Sequence, residues 1–297
     1  MTRICLKRTG ALGDVLMTTP VVRAIGQAQG AEAQIFVATR FPEVFERSPW
    51  VTACLSPAKL DVTYFDKLYD LDDVYECSPR EHVIDAYAKS VFGQPLADRR
   101  MELFAGADCD EQVRYLLRMS GDCPYVVIHI KRHPWPSRNF PQNFWLSVIS
   151  RLLSAYDGFI VQIGDAGDGF LEGHPRLISL LDQAGLHAVT RVIGGAECFI
   201  GVDTATLHMA ACTEVPIVCA FTCVRHEYRQ PLRGDGALFV PVFPAISCYG
   251  CHADYPPPVR EYSCMRGDAA CVREVSADQI VAEALDIVRL RRSPQPS

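Results

Sequence analysis

The chain has 297 residues, of which 49% are hydrophobic, and it carries a formal net charge of −6. This length accommodates two domains with packed cores. An acidic chain without a block of Lys and Arg argues against a nucleic-acid surface. We expect no signal peptide, because the first residues run directly into a strand. We also expect no transmembrane segment, because no apolar run approaches the roughly 20 residues needed. The sequence therefore predicts a cytoplasmic protein that binds no nucleic acid.

The first part of the chain predicts short strands that alternate with helices. Apolar runs predict strands at 2–7, 34–38, 51–55 and 67–71, and helical periodicity predicts helices at 20–28, 82–92 and 110–119. Such alternation is typical of a parallel α/β sheet. Thr19 followed by Pro20 predicts the start of the first of these helices, with Thr19 as its N-cap.

A breaker cluster at 120–124 separates this part from a second one with the same alternation. The patterns there predict strands at 125–130, 158–163, 198–202 and 216–221, helices at 141–155, 183–195, 205–212 and 277–291, and a disordered tail at 293–297. The fold class is therefore α/β. We predict one doubly wound domain at 1–118, a second at 119–275, and a C-terminal helix and tail at 276–297.

The turn after the first strand has the composition of a ligand-binding turn. It contains Gly10, Gly13 and Asp14, and a helical pattern follows it. Glycine lets the backbone approach a ligand closely, and open α/β sheets bind ligands at the carboxyl ends of their strands. Asp14 has two interpretations at this point. It is either an N-cap that accepts backbone N–H groups or a functional carboxylate.

A second candidate site follows the predicted strand at 198–202, where Asp203 and Thr204 precede a helix. The free N–H groups of a helix start suit a diphosphate, and a carboxylate beside them accepts hydrogen bonds from sugar hydroxyls. His208 lies about one turn inside this helix, within reach of a phosphate oxygen. The alternative is a helix capped by Thr204 or Thr206 with a packed histidine.

Together the two stretches resemble the motifs of glycosyltransferase family 9, which contains the lipopolysaccharide heptosyltransferases. Gly13-Asp14-Val15 followed by Thr18-Thr19-Pro20 matches the opening motif of that family, and 199–211 matches a later motif. Two motifs in the right order, about one domain apart, are more specific than either alone. The resemblance implies two Rossmann-like domains that face a cleft, known as the GT-B architecture.

The resemblance also implies an activity. A sugar, heptose, would move with inversion from a nucleoside-diphosphate donor, ADP-heptose, to a hydroxyl of the lipopolysaccharide core, another glycan or a protein. Asp14 would be the general base, and no divalent metal would be needed for catalysis. The implied donor-binding residues are Gly13, Lys131, Arg138, Asp203, Thr204, Ala205 and His208. Arg138 and His208 would stabilise the departing diphosphate together with the helix start. Arg138 replaces a lysine of the family, and Ala205 replaces its usual glycine.

A third pattern lies in a Pro- and Gly-rich loop at 245–272, where four cysteines have the spacing Cys-x₂-Cys-x₁₂-Cys-x₆-Cys. They are Cys248, Cys251, Cys264 and Cys271. Four thiolates suit one tetrahedral iron or zinc site of structural type. The alternatives are four reduced thiols or two disulfides, although the scatter of other cysteines through apolar segments favours a reducing compartment. The heptosyltransferases that modify autotransporters carry a comparable cysteine finger, which holds iron.

Two rival functions come from other classes. A nucleotide-dependent dehydrogenase is disfavoured, because no Gly-x-Gly-x-x-Gly follows the first strand and no acid follows the second, where Thr39 and Arg40 stand. A non-catalytic sugar-nucleotide-binding protein stays open, as does peripheral contact with the inner membrane. The sequence does not distinguish among donor bases, sugars or acceptors.

Overall fold

The computed structural model describes residues 1–169, 171, 173–234 and 236–293. Two separate parallel sheets organise this part of the chain, one of four strands and one of six. We call the elements around the first sheet the first lobe and those around the second sheet the second lobe. Residues 294–297 of the tail predicted to be disordered lie outside the described residues. In the described ranges, no helix has the length and apolar character to cross a membrane.

The first sheet has the strand order β3-β2-β1-β4. Its strands are β1 Thr2–Lys7, β2 Ala33–Ala38, β3 Ala53–Leu55 and β4 Lys67–Asp70. The apolar run in the middle of β1 is fully buried, because β1 pairs in parallel with a strand on each side. The chain turns from β1 toward β2 on one side and reaches β4 on the other. The carboxyl end of β1 is therefore a switch point, where open sheets form a crevice.

The second sheet has the strand order β10-β9-β8-β5-β6-β7. Its strands are β5 Tyr125–His129, β6 Phe159–Ile163, β7 Leu177–Ser179, β8 Phe199–Val202, β9 Ile217–Ala220 and β10 Phe239–Val242. The strands β5 and β8 lie side by side at the centre although they are far apart in the chain. Their carboxyl ends form the switch point of this sheet.

Helices cover both sheets at the faces that the apolar periodicity predicts. They are α1 Leu12–Leu16, α2 Thr19–Gln29, α3 Val83–Phe92, α4 Asp108–Leu116, α5 Gln142–Ala155, α6 Leu186–Gly194, α7 Ala205–Ala211, α8 Ala270–Arg273 and α9 Ala277–Arg292. The hydroxyl of Ser276 accepts a hydrogen bond from the Gln279 N–H at 3.1 Å, as a helix cap does. The buried faces of α5 and α9 share one apolar cluster in the second lobe.

Several boundaries differ from the sequence prediction. Thr18, not Thr19, is the N-cap residue of α2, because the hydroxyls of Thr18 and Thr19 donate to carbonyls of α1 and join the two helices tightly. The helix predicted at 110–119 spans Asp108–Leu116. The sequence prediction also missed the edge strands β7 and β10. They are short and pair on one side only, and β10 contains Pro241, which an edge position tolerates.

The two lobes meet where α1 packs against α7. A Cβ atom built on Gly13 of α1 would lie 2.9 Å from the His208 ring and 3.3 Å from Cα of Ala205. Any larger residue at position 13 would therefore require the His208 ring and the α7 backbone at Ala205 to shift. The largest buried apolar cluster runs through this contact and includes Leu16 from the first lobe and Leu207 from the second. The two sequence motifs thus form one contact surface.

Candidate functional site

A cavity of about 610 Å³ lies between the lobes, next to the α1–α7 contact. Its first-lobe wall comes from the turn after β1, the segment after β4 and Phe41 after β2, and its second-lobe wall comes from the loops after β5, β8, β9 and β10. All the residues predicted to act in catalysis or donor binding border it, namely Gly13, Asp14, Lys131, Arg138, Asp203, Thr204, Ala205 and His208. The structure therefore brings together every predicted residue of the transfer site.

Asp14 is the third residue of α1, and Ala11 is the N-cap residue. The expectation that Asp14 itself is the N-cap is therefore wrong. Its carboxylate oxygen Oδ2 accepts three hydrogen bonds, from Arg8 Nη2 at 2.7 Å, from the Ala11 N–H at 3.2 Å and from the Tyr75 hydroxyl at 3.2 Å. One of these bonds ties the carboxylate to the start of the helix, as a third-position acid does. The other two hold the carboxylate at the cavity wall.

The buried side chain of Arg8 holds Asp14 and the neighbouring groups in place. Its guanidinium group donates to both carboxylate oxygens of Glu76, at 2.8 and 3.3 Å, and to the carbonyl of Leu71 at 3.1 Å. It also lies 5.0 Å from the centre of the Tyr75 ring. The sequence assigned no role to Tyr75 or Glu76, because only the pairing of β1 with β4 places them beside Arg8. Arg8 thus holds two carboxylates, Asp14 and Glu76, and both residues border the cavity.

Asp203 follows β8 and is buried against Arg138. Arg138 Nη2 donates to Asp203 Oδ2 at 3.0 Å and to the carbonyl of the same residue. Burial alone would raise the pKa of Asp203, but the positive charges of Arg138 and Arg229 hold it below its usual value. Asp203 is therefore an ionised acceptor. The Arg138 guanidinium also lies 5.5 Å from the Trp135 ring, at the cavity wall.

His208 lies in α7 and is 3% exposed. Burial lowers its pKa to about 4, although the carboxylates of Asp203 and Asp14 pull in the opposite direction. The ring is therefore neutral at pH 7 and offers a hydrogen bond without a positive charge. The ring borders the cavity, and its Nδ1 atom lacks a hydrogen-bond partner among the described residues.

A buried network behind the cavity was not predicted. Nδ1 of His129 lies 2.8 Å from the Thr206 hydroxyl and 3.2 Å from the Thr204 hydroxyl, and its Nε2 lies 3.5 Å from Asp168. Burial would raise the pKa of Asp168, but hydrogen bonds from His129 and Lys131 lower it to about 2. Thr204 is the N-cap residue of α7, yet its side chain does not cap the helix. Thr204 therefore caps α7 by position, as the sequence allowed, while its hydroxyl lies against His129 and Thr206.

The four cysteines predicted to bind a metal lie near one another beside the cavity. Cys248, Cys251 and Cys264 pack around a small apolar cluster that also contains Cys223 and Tyr262. Sγ of Cys251 lies 2.8 Å from the Tyr262 hydroxyl. Within the described ranges, no three Cys, His, Asp or Glu side chains converge as they would around one ion. The side chains therefore supply suitable donor atoms without forming a closed coordination sphere.

The thiols of this cluster differ in their readiness to ionise. Burial would raise the pKa of Cys264, but backbone N–H groups from 266–269 hold it below its usual value. Burial raises the pKa of Cys271 to about 12. A thiolate site needs both groups deprotonated, so a metal ion would have to displace a proton from Cys271. No cysteine forms a disulfide, and all 13 lie within the described residues.

The loop at 245–272, the Cys-rich loop, also reaches the first lobe. The Val259 N–H donates to the carbonyl of Glu76 at 2.9 Å. Arg260 Nε donates to Asp73 at 2.9 Å and forms an ion pair with the same carboxylate. His252 of the loop stacks on Trp135, with ring centres 5.4 Å apart, and both rings border the cavity. The loop is therefore part of the cavity wall, which its cysteine spacing did not indicate.

The chain is similar in structure to several solved proteins. The glycosyl transferase family 9 protein from Veillonella parvula DSM 2008 has a TM-score of 0.72 and 13% identity, over 97% of both chains. ADP-heptose lps heptosyltransferase II from E. coli has a TM-score of 0.73 and 12% identity, over 99% of this chain and 100% of that one. The iron-containing dodecameric glycosyltransferase TibC from enterotoxigenic E. coli H10407 has a TM-score of 0.71 and 17% identity, over 99% of this chain and 80% of that one.

TM-scores of 0.71 to 0.73 establish a common fold, although the identities are only 12% to 17%. The fold is that of these glycosyltransferases, and the first of them belongs to the family that the two motifs resemble. No protein-family model matches the chain, and no curated protein matches it. The chemistry is therefore argued from the residues of the cavity.

Proposed function

We propose that the chain is an inverting glycosyltransferase that transfers heptose from ADP-heptose to a hydroxyl of the lipopolysaccharide core, another glycan or a protein. One observation carries the proposal: Asp14 and the group of Asp203, Thr204 and His208 come from distant motifs and border one cavity between the lobes. The proposal includes a GT-B architecture, with domains at 1–118 and 119–275 that face this cavity. Residues 276–297 form the C-terminal helix and tail.

Asp14 is the general base of this proposal. It takes the proton of the acceptor hydroxyl, whose oxygen attacks the anomeric carbon of the sugar. The bond between that carbon and the diphosphate breaks on the opposite face, which inverts the configuration. The hydrogen bonds from Arg8 and Tyr75 support this role, because they fix the carboxylate in place before the acceptor arrives.

The second lobe stabilises the leaving diphosphate. Arg138 and Lys131 supply positive charge, and the backbone N–H groups at the start of α7, next to Thr204 and Ala205, supply hydrogen bonds. Neutral His208 donates one further hydrogen bond to a phosphate oxygen. Asp203, held ionised by Arg138, accepts from a sugar hydroxyl. These groups provide the stabilisation that a divalent metal would otherwise supply.

The choice of donor rests on the similar E. coli structure described as an ADP-heptose lps heptosyltransferase. We place the reaction in the cytoplasm, because 13 unpaired thiols suit a reducing compartment. An assay of ADP release from ADP-heptose tests the proposal, with heptose-deficient lipopolysaccharide and with protein acceptors. Acceptor-dependent release supports it. Tight ADP-heptose binding without release under any acceptor would favour the non-catalytic alternative.

We also propose a structural iron or zinc ion held by Cys248, Cys251, Cys264 and Cys271. The similar structure described as iron-containing supports it, and so does the lowered pKa of Cys264. Elemental analysis of protein purified without chelator should find about one iron or zinc ion per chain. Removing the ion should loosen the Cys-rich loop and leave both sheets folded, because three of the four cysteines pack in a small cluster of their own, apart from the two large apolar clusters beneath the sheets. Metal-free protein with four titratable thiols at these positions would contradict the proposal.

A further inference from the structure

Three arginines are buried among the described residues, and one of them differs from the other two. Arg8 holds Glu76 and Asp14, and Arg23 holds two other carboxylates, so both charges are balanced inside the protein. Arg229 is 9% exposed and borders the cavity. Its Nη1 atom donates to the carbonyl of Tyr228 at 3.0 Å. Within the described part of the chain, no carboxylate oxygen lies within ion-pair distance of its guanidinium group.

A buried guanidinium without a counter-ion is costly unless a ligand supplies the negative charge. Asp203 is a nearby carboxylate that Arg229 helps to keep ionised, but its direct ion pair is with Arg138, and Arg229 has no ion pair of its own among the described residues. The pKa values of His82, His208 and His252 are all lowered to about 4, chiefly by burial and in each case also by the charge of Arg229. The nearby rings are thus neutral, and Asp203 is committed to Arg138. The electrostatics of this part of the cavity favour an anion.

The position of Arg229 indicates which part of a donor it would meet. Its guanidinium group lies 4.7 Å from the centre of the Tyr75 ring in the first lobe. The hydroxyl of that ring donates to Asp14, the proposed base, at 3.2 Å. Arg138 lies instead against Trp135 and Asp203. Arg229 is therefore the second-lobe cation that contacts the aromatic ring holding the base.

We propose that Arg229 binds the sugar-side phosphate of the nucleoside-diphosphate donor. This inference rests on the proposed function. The sugar must place its anomeric carbon close to Asp14, and the phosphate on that carbon then lies at the same end of the cavity. When the carbon–oxygen bond breaks, its electron pair stays on this phosphate, while the acceptor oxygen bonds to carbon and its proton passes to Asp14. The planar guanidinium fork suits two oxygens of that phosphate.

Calorimetry with ADP, AMP and inorganic pyrophosphate tests this assignment, because AMP lacks the sugar-side phosphate. Arg229→Gln should weaken ADP and pyrophosphate binding about 10- to 100-fold and change AMP binding less than about 2-fold. Arg225→Gln is the matched control. It removes the same charge from the same loop, where Arg225 is exposed and paired with Glu227, and it should leave all three affinities unchanged.

Arg229→Lys keeps a charge without the fork and guards against misfolding of the glutamine variant. It should melt near the parent temperature and lose about 3- to 10-fold in ADP affinity, with AMP affinity unchanged. Equal losses for ADP and AMP would overturn the assignment, as would full ADP affinity in Arg229→Gln. A parent chain that binds neither nucleotide would refute the proposed donor. In that case only pyrophosphate binding tests the role of Arg229. Pyrophosphate binding that is absent in the parent chain, or that Arg229→Gln leaves unaltered, would overturn this role.

Discussion

In each lobe an arginine lies beside an aspartate at the cavity. The more deeply buried residue of the pair is the arginine in the first lobe and the aspartate in the second. In the first lobe the Arg8 side chain is 3% exposed and the Asp14 side chain 17%. In the second lobe the Arg138 side chain is 19% exposed and the Asp203 side chain 9%. The first lobe thus buries its arginine and presents its aspartate, the acid, to the cavity. The second lobe buries its aspartate and presents its arginine, the cation. The same pair of residue types therefore yields a candidate base on one wall and a candidate phosphate ligand on the other.

The largest effect should come from removing the acid that the first lobe presents. Asp14→Asn keeps the hydrogen bonds of the carboxylate site approximately but cannot take a proton. Turnover with ADP-heptose and the true acceptor should fall roughly 10²- to 10⁴-fold, the usual contribution of a general base. Donor affinity and melting temperature should stay near those of the parent. Turnover within a few-fold of the parent would show that Asp14 is not the base.

A smaller effect should follow from removing the cation that the second lobe presents. Arg138→Ala should weaken ADP binding by about 1.5 to 3 kcal/mol, as expected for a lost charged hydrogen bond. His208→Ala should cost only about 1 kcal/mol, because the ring is neutral and contributes one uncharged hydrogen bond. Calorimetry on the two variants compares them directly. Unchanged affinity in both would remove the second lobe as the donor site, and equal losses would mean that His208 is charged when ligand binds.

The smallest effect concerns pH and sharpens the contrast between charged Arg138 and neutral His208. The folded-state pKa of His208, about 4, lies below the unfolded value of about 6.5. The unfolded chain therefore binds more protons between these values, so stability is fully present above pH 6.5 and falls as the pH drops toward 4. Between pH 7 and pH 5, His208 should account for about 1.5 to 2 kcal/mol of lost stability.

Thermal melting of His208→Gln should therefore depend less on pH over this range than melting of the parent. His174 is exposed and provides the control, since His174→Gln should follow the parent curve. Parallel curves for His208→Gln and the parent would contradict a neutral, buried His208.

Local patterns predicted most of the fold and one part of the site. Apolar runs located the central strands, and the two motifs located Asp14 and Asp203, because both lie in connections that follow a strand at a switch point. The bonds from Arg8 to Glu76 escaped prediction, since they join the end of β1 to a segment after β4 and depend on strand order. The neutral state of His208 depends on burial by α1, a contact between lobes. No local sequence pattern indicates that Arg229 is buried at the cavity.

The contacts of the Cys-rich loop set how readily one side of the cavity mouth can open. The loop joins the first lobe through the Val259–Glu76 backbone bond, the Arg260–Asp73 pair and a pair between Arg80 and Asp254 at 2.8 Å. Exposed ion pairs contribute little to stability, so these few contacts should hold the loop only weakly to the first lobe and leave a fraction of molecules with this side of the mouth open. Salt weakens the two ion pairs, so the open fraction should rise with ionic strength.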